Sequence, residues 1–115
     1  MPVTLKQALD LQKEFDKQHQ GNYPFYETIN SNNIEALEHL LVCLTGEVGE
    51  LANIIKKIRR GDFDLSEASQ NINDELADIF IYILKISNQL DVDLEKAFLN
   101  KRDLNFKRFE RYSIK

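Results

Sequence analysis

The chain has 115 residues, 43% apolar and 30% charged, with 15 Lys and Arg against 19 Asp and Glu for a net charge of −4. That apolar share and near-balance of charge exclude a disordered chain, and the length suits one domain spanning residues 1–115. Four Gly and two Pro supply too few turns for a many-stranded sandwich or barrel, so the expected fold class is all-α, a bundle of four to five helices.

Thr4 is a cap for a first helix running to about Gln18, in which Leu5, Ala8, Leu9, Leu11 and Phe15 form a rough apolar stripe. Residues 19–33 (HQGNYPFYETINSNN) mix Gly, Pro, Asn and Ser with three aromatics, the composition of an ordered loop. Tyr23, Phe25 and Tyr26 offer either anchors for that loop or a stacking surface for a base. Asn32 or Asn33 then caps a second helix. From Ile34 to about Arg60 one stripe recurs at spacings of three and four: Ile34, Leu37, Leu41, Leu44, Val48, Leu51, Ile55 and Ile58. The helix ends on Lys56, Lys57, Arg59 and Arg60 before Gly61, where cations suit the dipole and Gly the left-handed cap. Gly46 and Gly49 inside it each cost roughly 1 kcal/mol relative to Ala, which points to close backbone approach or room for a ligand.

Ser66 reads as the start of a third helix, carried by Ile72, Leu76, Ile79, Ile83, Ile86 and Leu90. A second apolar set at Ala77, Phe80, Ile81 and Leu84 makes its middle apolar nearly all round, more than one small chain covers. Self-association through this segment, as a homodimer or homotetramer, is therefore expected to complete the core. A last helix runs from near Asp93 to about Tyr112 with Leu94, Ala97, Phe98, Leu104, Phe106 and Phe109.

The longest apolar run, Ile79 to Leu84, is far short of the roughly 18 residues of a membrane span. The amino end (MPVTLKQALD) carries no apolar signal segment, so the expectation is a cytoplasmic protein with no membrane partner. The net charge of −4 gives no general attraction to nucleic acid, and none is expected as a partner. The single Cys43, among Leu40, Leu41, Val42 and Leu44, is expected to pack in the core.

Two acid pairs carry the chemistry. Glu47 and Glu50 on the second helix and Glu75 and Asp78 on the third each sit three apart, so each pair shares a helix face bordering the main apolar stripe. None of the four has a Lys or Arg three or four positions away. If the stripes pack together, the acids converge, mutually repulsive, and a cation is required where they are partly buried. Carboxylates without sulfur or imidazole suit Mg²⁺, with Mn²⁺ as a substitute, and His19 and His39 complete no Glu-x-x-His pair of the di-iron kind. A solvated acidic face is the other reading of the same spacing.

The string LTGEVGELANIIKK, with 24 residues between Glu50 and Glu75, followed by ELADIFIYIL, resembles the E-x-x-E then E-x-x-D signature of the MazG-like all-α nucleotide pyrophosphohydrolases. The likeness covers roughly Ile34 to Phe109. It implies Mg²⁺ held by Glu47, Glu50, Glu75 and Asp78, with Glu47 and Glu50 as the catalytic acids. It also implies hydrolysis of a nucleoside triphosphate between its α and β phosphates to a monophosphate and pyrophosphate, in the clearing of unwanted nucleotides. Many members carry a further Glu directly before the first motif acid, where this chain has Gly46. A non-catalytic nucleotide- or metal-binding helical protein of the same fold is the alternative.

Phosphates beyond the metal need donors. Lys101, Arg102, Lys107, Arg108 and Arg111 against Asp103 and Glu110 give residues 101–111 a net +3 in an acidic chain. Lys101, Arg102 and Arg108 are the expected substrate-binding residues there, and the resemblance, whose members tend to carry a Lys or Arg and an Asn near this place, adds Asn105. Tyr82, one turn after Asp78, is expected to contact the sugar or base.

Overall fold

The computed structural model describes residues 2–114. Its elements are α1 (Leu5–Lys17), α2 (Ile34–Arg60), α3 (Ser69–Gln89) and α4 (Leu94–Arg108), followed by a 3₁₀ turn at Glu110–Tyr112. The only β feature among the described residues is a single bridge between Gln20 and Pro24. The fold is all-α.

Local chemistry sets most of the helix ends. Thr4 Oγ1 accepts from the Gln7 amide at 3.1 Å while the Gln7 side chain accepts from the Thr4 amide at 2.8 Å, closing a capping box on α1. α2 stops at Gly61, whose φ of +93° is the left-handed conformation Gly adopts without strain. There the Asp62 amide reaches back to Lys57 O and the Gly61 amide to Ile58 O, a Schellman closure of the last carbonyls. α3 ends the same way through Val92 to Ser87 O and Asp91 to Asn88 O, but with Asp91 at φ +57° in the left-handed position. Asp93 then caps α4 by accepting from the Lys96 amide at 3.0 Å.

Two expected boundaries move. Ser66 does not open α3: it sits in a preceding turn, where the Asp64 carboxylate accepts from the Ser66 hydroxyl and the Glu67 amide, and the helix begins at Ser69. Asp64 outcompetes Ser66 as the local capping acceptor. The last helix ends at Arg108, four residues early, because Phe109 leaves helical geometry and a 3₁₀ turn takes over.

α2 and α3 pack antiparallel along most of their lengths, α1 lies against α3, and α4 packs on α1 and the 3₁₀ turn. The buried Asp16 carboxylate ties α1 to α3 by accepting from Lys85 Nζ at 2.8 Å and from Gln12 Nε2 at 3.0 Å. The Asn88 side chain adds a bond to Leu9 O at 2.9 Å. Gln89, also buried, holds the loop: its side chain donates to Phe25 O at 3.0 Å and accepts from the Glu27 amide at 3.3 Å, and its carbonyl takes the Ile29 amide at 2.8 Å.

The long stripe of α2 is divided. Leu37, Leu44, Leu51 and Ile58 are half-buried towards α3, whereas Ile34, Leu41, Val48 and Ile55, seven apart, stay 46% to 57% exposed. Leu76 and Phe80 of α3 are exposed as well. The fully buried apolar set is small, namely Leu9, Ile29, Leu40, Ala68 and Leu84. A radius of gyration of 17.4 Å exceeds the roughly 13 Å of a compact domain of this length. The stripe expected along the last helix is not an internal seam either, since Phe98, Leu104, Phe106 and Phe109 are all exposed.

Candidate metal and nucleotide site

Antiparallel packing of α2 on α3 brings Glu47, Glu75 and Asp78 together, with one oxygen of each lying within 4.8 Å of the others. One oxygen of Glu47 and one of Glu75, both Oε2, are buried without any hydrogen-bond partner. Burying an ionised oxygen unpaired is costly, so such groups are ordinarily matched by a donor or a cation. The carboxyl of Glu75 is pushed up to about 7, first by loss of solvent and then by the neighbouring Glu47 and Glu50. Among the described residues the ion pairs are Lys85–Asp16 and Arg60–Asp62, neither of them at this site. An all-oxygen cluster with orphaned inward oxygens fits a hard divalent ion of the Mg²⁺ kind.

Glu50 stands apart from the triad. It is exposed on the next turn of α2, close enough to Glu75 to raise its pKa, and shares with it a cavity of about 310 Å³. Asn53, Asn71 and Asp74 supply the rest of its polar lining, beside Ile54. Sequence reasoning missed all three, although Asn53 follows Glu50 by one turn and Asp74 precedes Glu75 directly.

Tyr82 borders the cluster from the other end. Burial raises the pKa of its hydroxyl first, and then Cys43, Glu47 and Asp78 beside it. Cys43 is accordingly half-buried in the α2–α3 groove next to Tyr82, with His39 Nε2 3.7 Å from its sulfur, and is not in the core. Farther along α2 lies a second cavity, of about 300 Å³, walled by Tyr23, Phe25, His39, Leu40 and Gln89, with Glu27 and Glu35 among its polar groups. His39, Cys43 and Glu47 are four apart on one face, so this cavity lies about 12 Å along the helix from the acids. Of the loop aromatics, Tyr23 and Phe25 line it, whereas Tyr26 turns to α1 under Lys13 and Lys17.

The basic residues are elsewhere. Lys101, Arg102 and Asn105 line an open hollow of about 880 Å³ between α4 and the 3₁₀ turn, and Arg108 lies over the Phe109 ring. Among the described residues none of them forms an ion pair. Gly46 and Gly49 meet no close neighbour: a Cβ at either would have nothing within 4 Å.

Residues 35–104, which include all four motif acids, match the model of the MazG nucleotide pyrophosphohydrolase domain. The chain belongs to the MazG family. It is 40% identical over 77 residues to the Gene 37 protein of Mycobacterium phage L5, covering 64% of this chain and 65% of that protein. It is 35% identical over 75 residues to dCTP pyrophosphatase 1 of Homo sapiens, and 31% identical over 77 residues to that of Rattus norvegicus, covering 62% of this chain in each case. The match spans 44% of each of those two proteins, so this MazG chain corresponds to under half of their length. No solved structure matches significantly. No helix among the described residues is long and apolar enough to cross a membrane.

Proposed function

We propose that this chain is a Mg²⁺-dependent nucleoside triphosphate pyrophosphohydrolase, cleaving a (d)NTP to the monophosphate and pyrophosphate. The carrying observation is the pair of buried, partnerless oxygens on Glu47 and Glu75 beside Asp78, in a chain of the MazG family. These three acids are the ligand set. The bound ion would neutralise phosphate charge and lower the pKa of its water. Glu50, outside the triad and exposed, is the carboxylate free to orient the attacking water and take its proton.

The same groove supports a direction for the substrate. Its aromatic end, with Tyr23, Phe25 and His39, suits a planar base, and Tyr82 lies between that end and the acids, in reach of the sugar. The polar cavity of Glu50, Asn53, Asn71 and Asp74 lies beyond the acids, on the pyrophosphate side. The names of the mammalian relatives make dCTP the first nucleotide to try. The exposed row Ile34, Leu41, Val48 and Ile55, with Leu76 and Phe80, supports a homo-oligomer whose second copy covers it, within one domain over residues 1–115. A cytoplasmic setting fits clearance of free nucleotides.

Pyrophosphate release from a nucleotide panel with Mg²⁺ or Mn²⁺ tests the reading. We expect release by the parent chain and a loss of about 100-fold or more in kcat for Glu50→Gln and Asp78→Asn. No release from any nucleotide would favour a metal-dependent nucleotide-binding protein of the same fold.

A further inference from the structure

The cavity of about 300 Å³ at the loop end of α2 has a lopsided polar lining. Tyr23 and Phe25 wall it, while Glu27, Glu35, His39 and Gln89 supply its polar side chains, with no Lys, Arg or Asn among them. Glu27 Oε1 accepts from Asn33 Nδ2 at 3.1 Å. The other oxygen of Glu27 and the exposed Glu35 carboxylate carry no hydrogen bond or ion pair among the described residues. Donors are scarce by comparison. His39 Nε2 lies 3.7 Å from Cys43 Sγ, the Gln89 amide is buried against the loop backbone, and the Tyr23 hydroxyl remains.

The aromatic wall and the first acid are held in place. Gln89, at the end of α3, donates to Phe25 O at 3.0 Å and accepts from the Glu27 amide at 3.3 Å, so one buried side chain positions both. Asn33, just before α2, fixes the Glu27 carboxylate and also donates to Thr28 O at 2.9 Å. The Phe25 ring is stacked on His19 with centroids 5.8 Å apart, and Lys85 Nζ sits 5.3 Å from its centre. An edge held in this way discriminates by hydrogen-bond pattern, because a wrong pattern is not relieved by moving the wall.

We propose that Glu35 and Glu27 select nucleotides whose base carries an exocyclic amine, cytosine or adenine, against uracil and thymine. This rests on the pyrophosphohydrolase reading, which seats the base in this cavity. A carboxylate oxygen accepts and does not donate. The N4 amine of cytosine and the N6 amine of adenine donate to it, whereas uracil and thymine present O4, a second acceptor, to the same oxygens. Seating O4 there strips its water without returning a hydrogen bond and sets two electron-rich oxygens face to face. Repulsion of the wrong base therefore adds to attraction of the right one. The acids do not spoil phosphate binding, because the cavity lies about 12 Å along α2 from the metal cluster, beyond a Debye length of about 8–10 Å.

dCTP and dUTP differ only along this edge, so the ratio of their kcat/KM values reads the selection. With Mg²⁺ the parent should favour dCTP by about 10-fold or more. Glu35→Gln, whose amide can donate to O4, should lower that ratio by about 10-fold, and adding Glu27→Gln should bring it close to one. A loss of folded protein lowers both rates together and cancels from the ratio. A parent that uses dUTP as well as dCTP, or a double variant that keeps the parental ratio, would overturn the assignment and leave the hydrolase reading intact. Absence of turnover with every nucleotide would sink the hydrolase reading alone. Calorimetric titration of the parent with dCTP and with dUTP in Mg²⁺ then decides the selection: the same preference of about 10-fold is expected, and equal or undetectable affinities overturn it.

Discussion

α3 meets two buried acidic groups along its length, and they are built to opposite rules. Near its carboxyl end, one oxygen of Asp16 of α1 is met by Lys85 Nζ at 2.8 Å and Gln12 Nε2 at 3.0 Å, which supplies a counter-charge although its other oxygen is buried without a partner. Towards its amino end, Glu75 and Asp78 meet Glu47 with two buried oxygens unmatched and no basic side chain supplied. Lys85 is two turns past Asp78 on the same helix, so the sequence places a lysine where a carboxylate serves only to join helices. The contrast separates a structural acid, neutralised by the chain, from acids left for something the chain binds.

The comparison breaks first at the ion pair. Lys85→Met strands the Asp16 charge and should lower unfolding free energy by about 3–5 kcal/mol, whereas adding Asp16→Leu should recover most of the loss; urea melts of both measure it. At the acid cluster, Mg²⁺ at a hundredfold excess over its dissociation constant should add about 2.7 kcal/mol to the parent and nothing to a Glu47→Gln, Glu75→Gln double variant, read as a shift in Tm.

The pH response sharpens the difference further. The Glu75 carboxyl titrates near 7 in the folded chain against an ordinary 4.5, so its neutral form is favoured by folding. The metal-free protein should therefore hold its full stability below about pH 4.5 as far as this group is concerned, and lose that share as pH rises through about 7. Mg²⁺ binding expels the proton, so its affinity should climb across the same window. Thermal melts from pH 4.5 to 8 with EDTA would show the fall for the parent and a flatter curve for Glu75→Gln. The smallest expected effect lies at the corner after α3: Asp91→Gly relieves a left-handed Asp at φ +57° and should stabilise by about 0.5–1 kcal/mol in a urea melt.

The acid cluster was largely legible in the residues, because spacing three apart on two amphipathic helices fixes direction before any tertiary contact forms. α2 runs from Ile34 to Arg60, as its stripe and the Gly61 cap require. Glu47, Glu75 and Asp78 converge as their shared faces imply, while Glu50, exposed on the next turn, shares the adjoining cavity with Glu75. What periodicity does not encode is which partner a face meets. One stripe on α2 read as a single seam, yet Leu37, Leu44, Leu51 and Ile58 turn towards α3 and their neighbours do not. The apolar positions of α4 likewise say nothing of distance from the acids, which depends on the corner at Leu90–Asp93. Asn53, Asn71 and Asp74 carried no signal of their own, since polar residues at helical spacing are ordinary on a surface.

Gly46 and Gly49 bracket Glu47 on a stretch of α2 with open space beside both. Each lowers local helix propensity by roughly 1 kcal/mol, so the backbone turn holding the first acid should be the loosest part of the longest helix. Its amides should exchange with solvent deuterium faster than those of the flanking turns and slow when the acids are clamped. Two acids of the motif therefore sit on the turn of α2 with the weakest intrinsic preference for helix, where an adjustment of the backbone costs least.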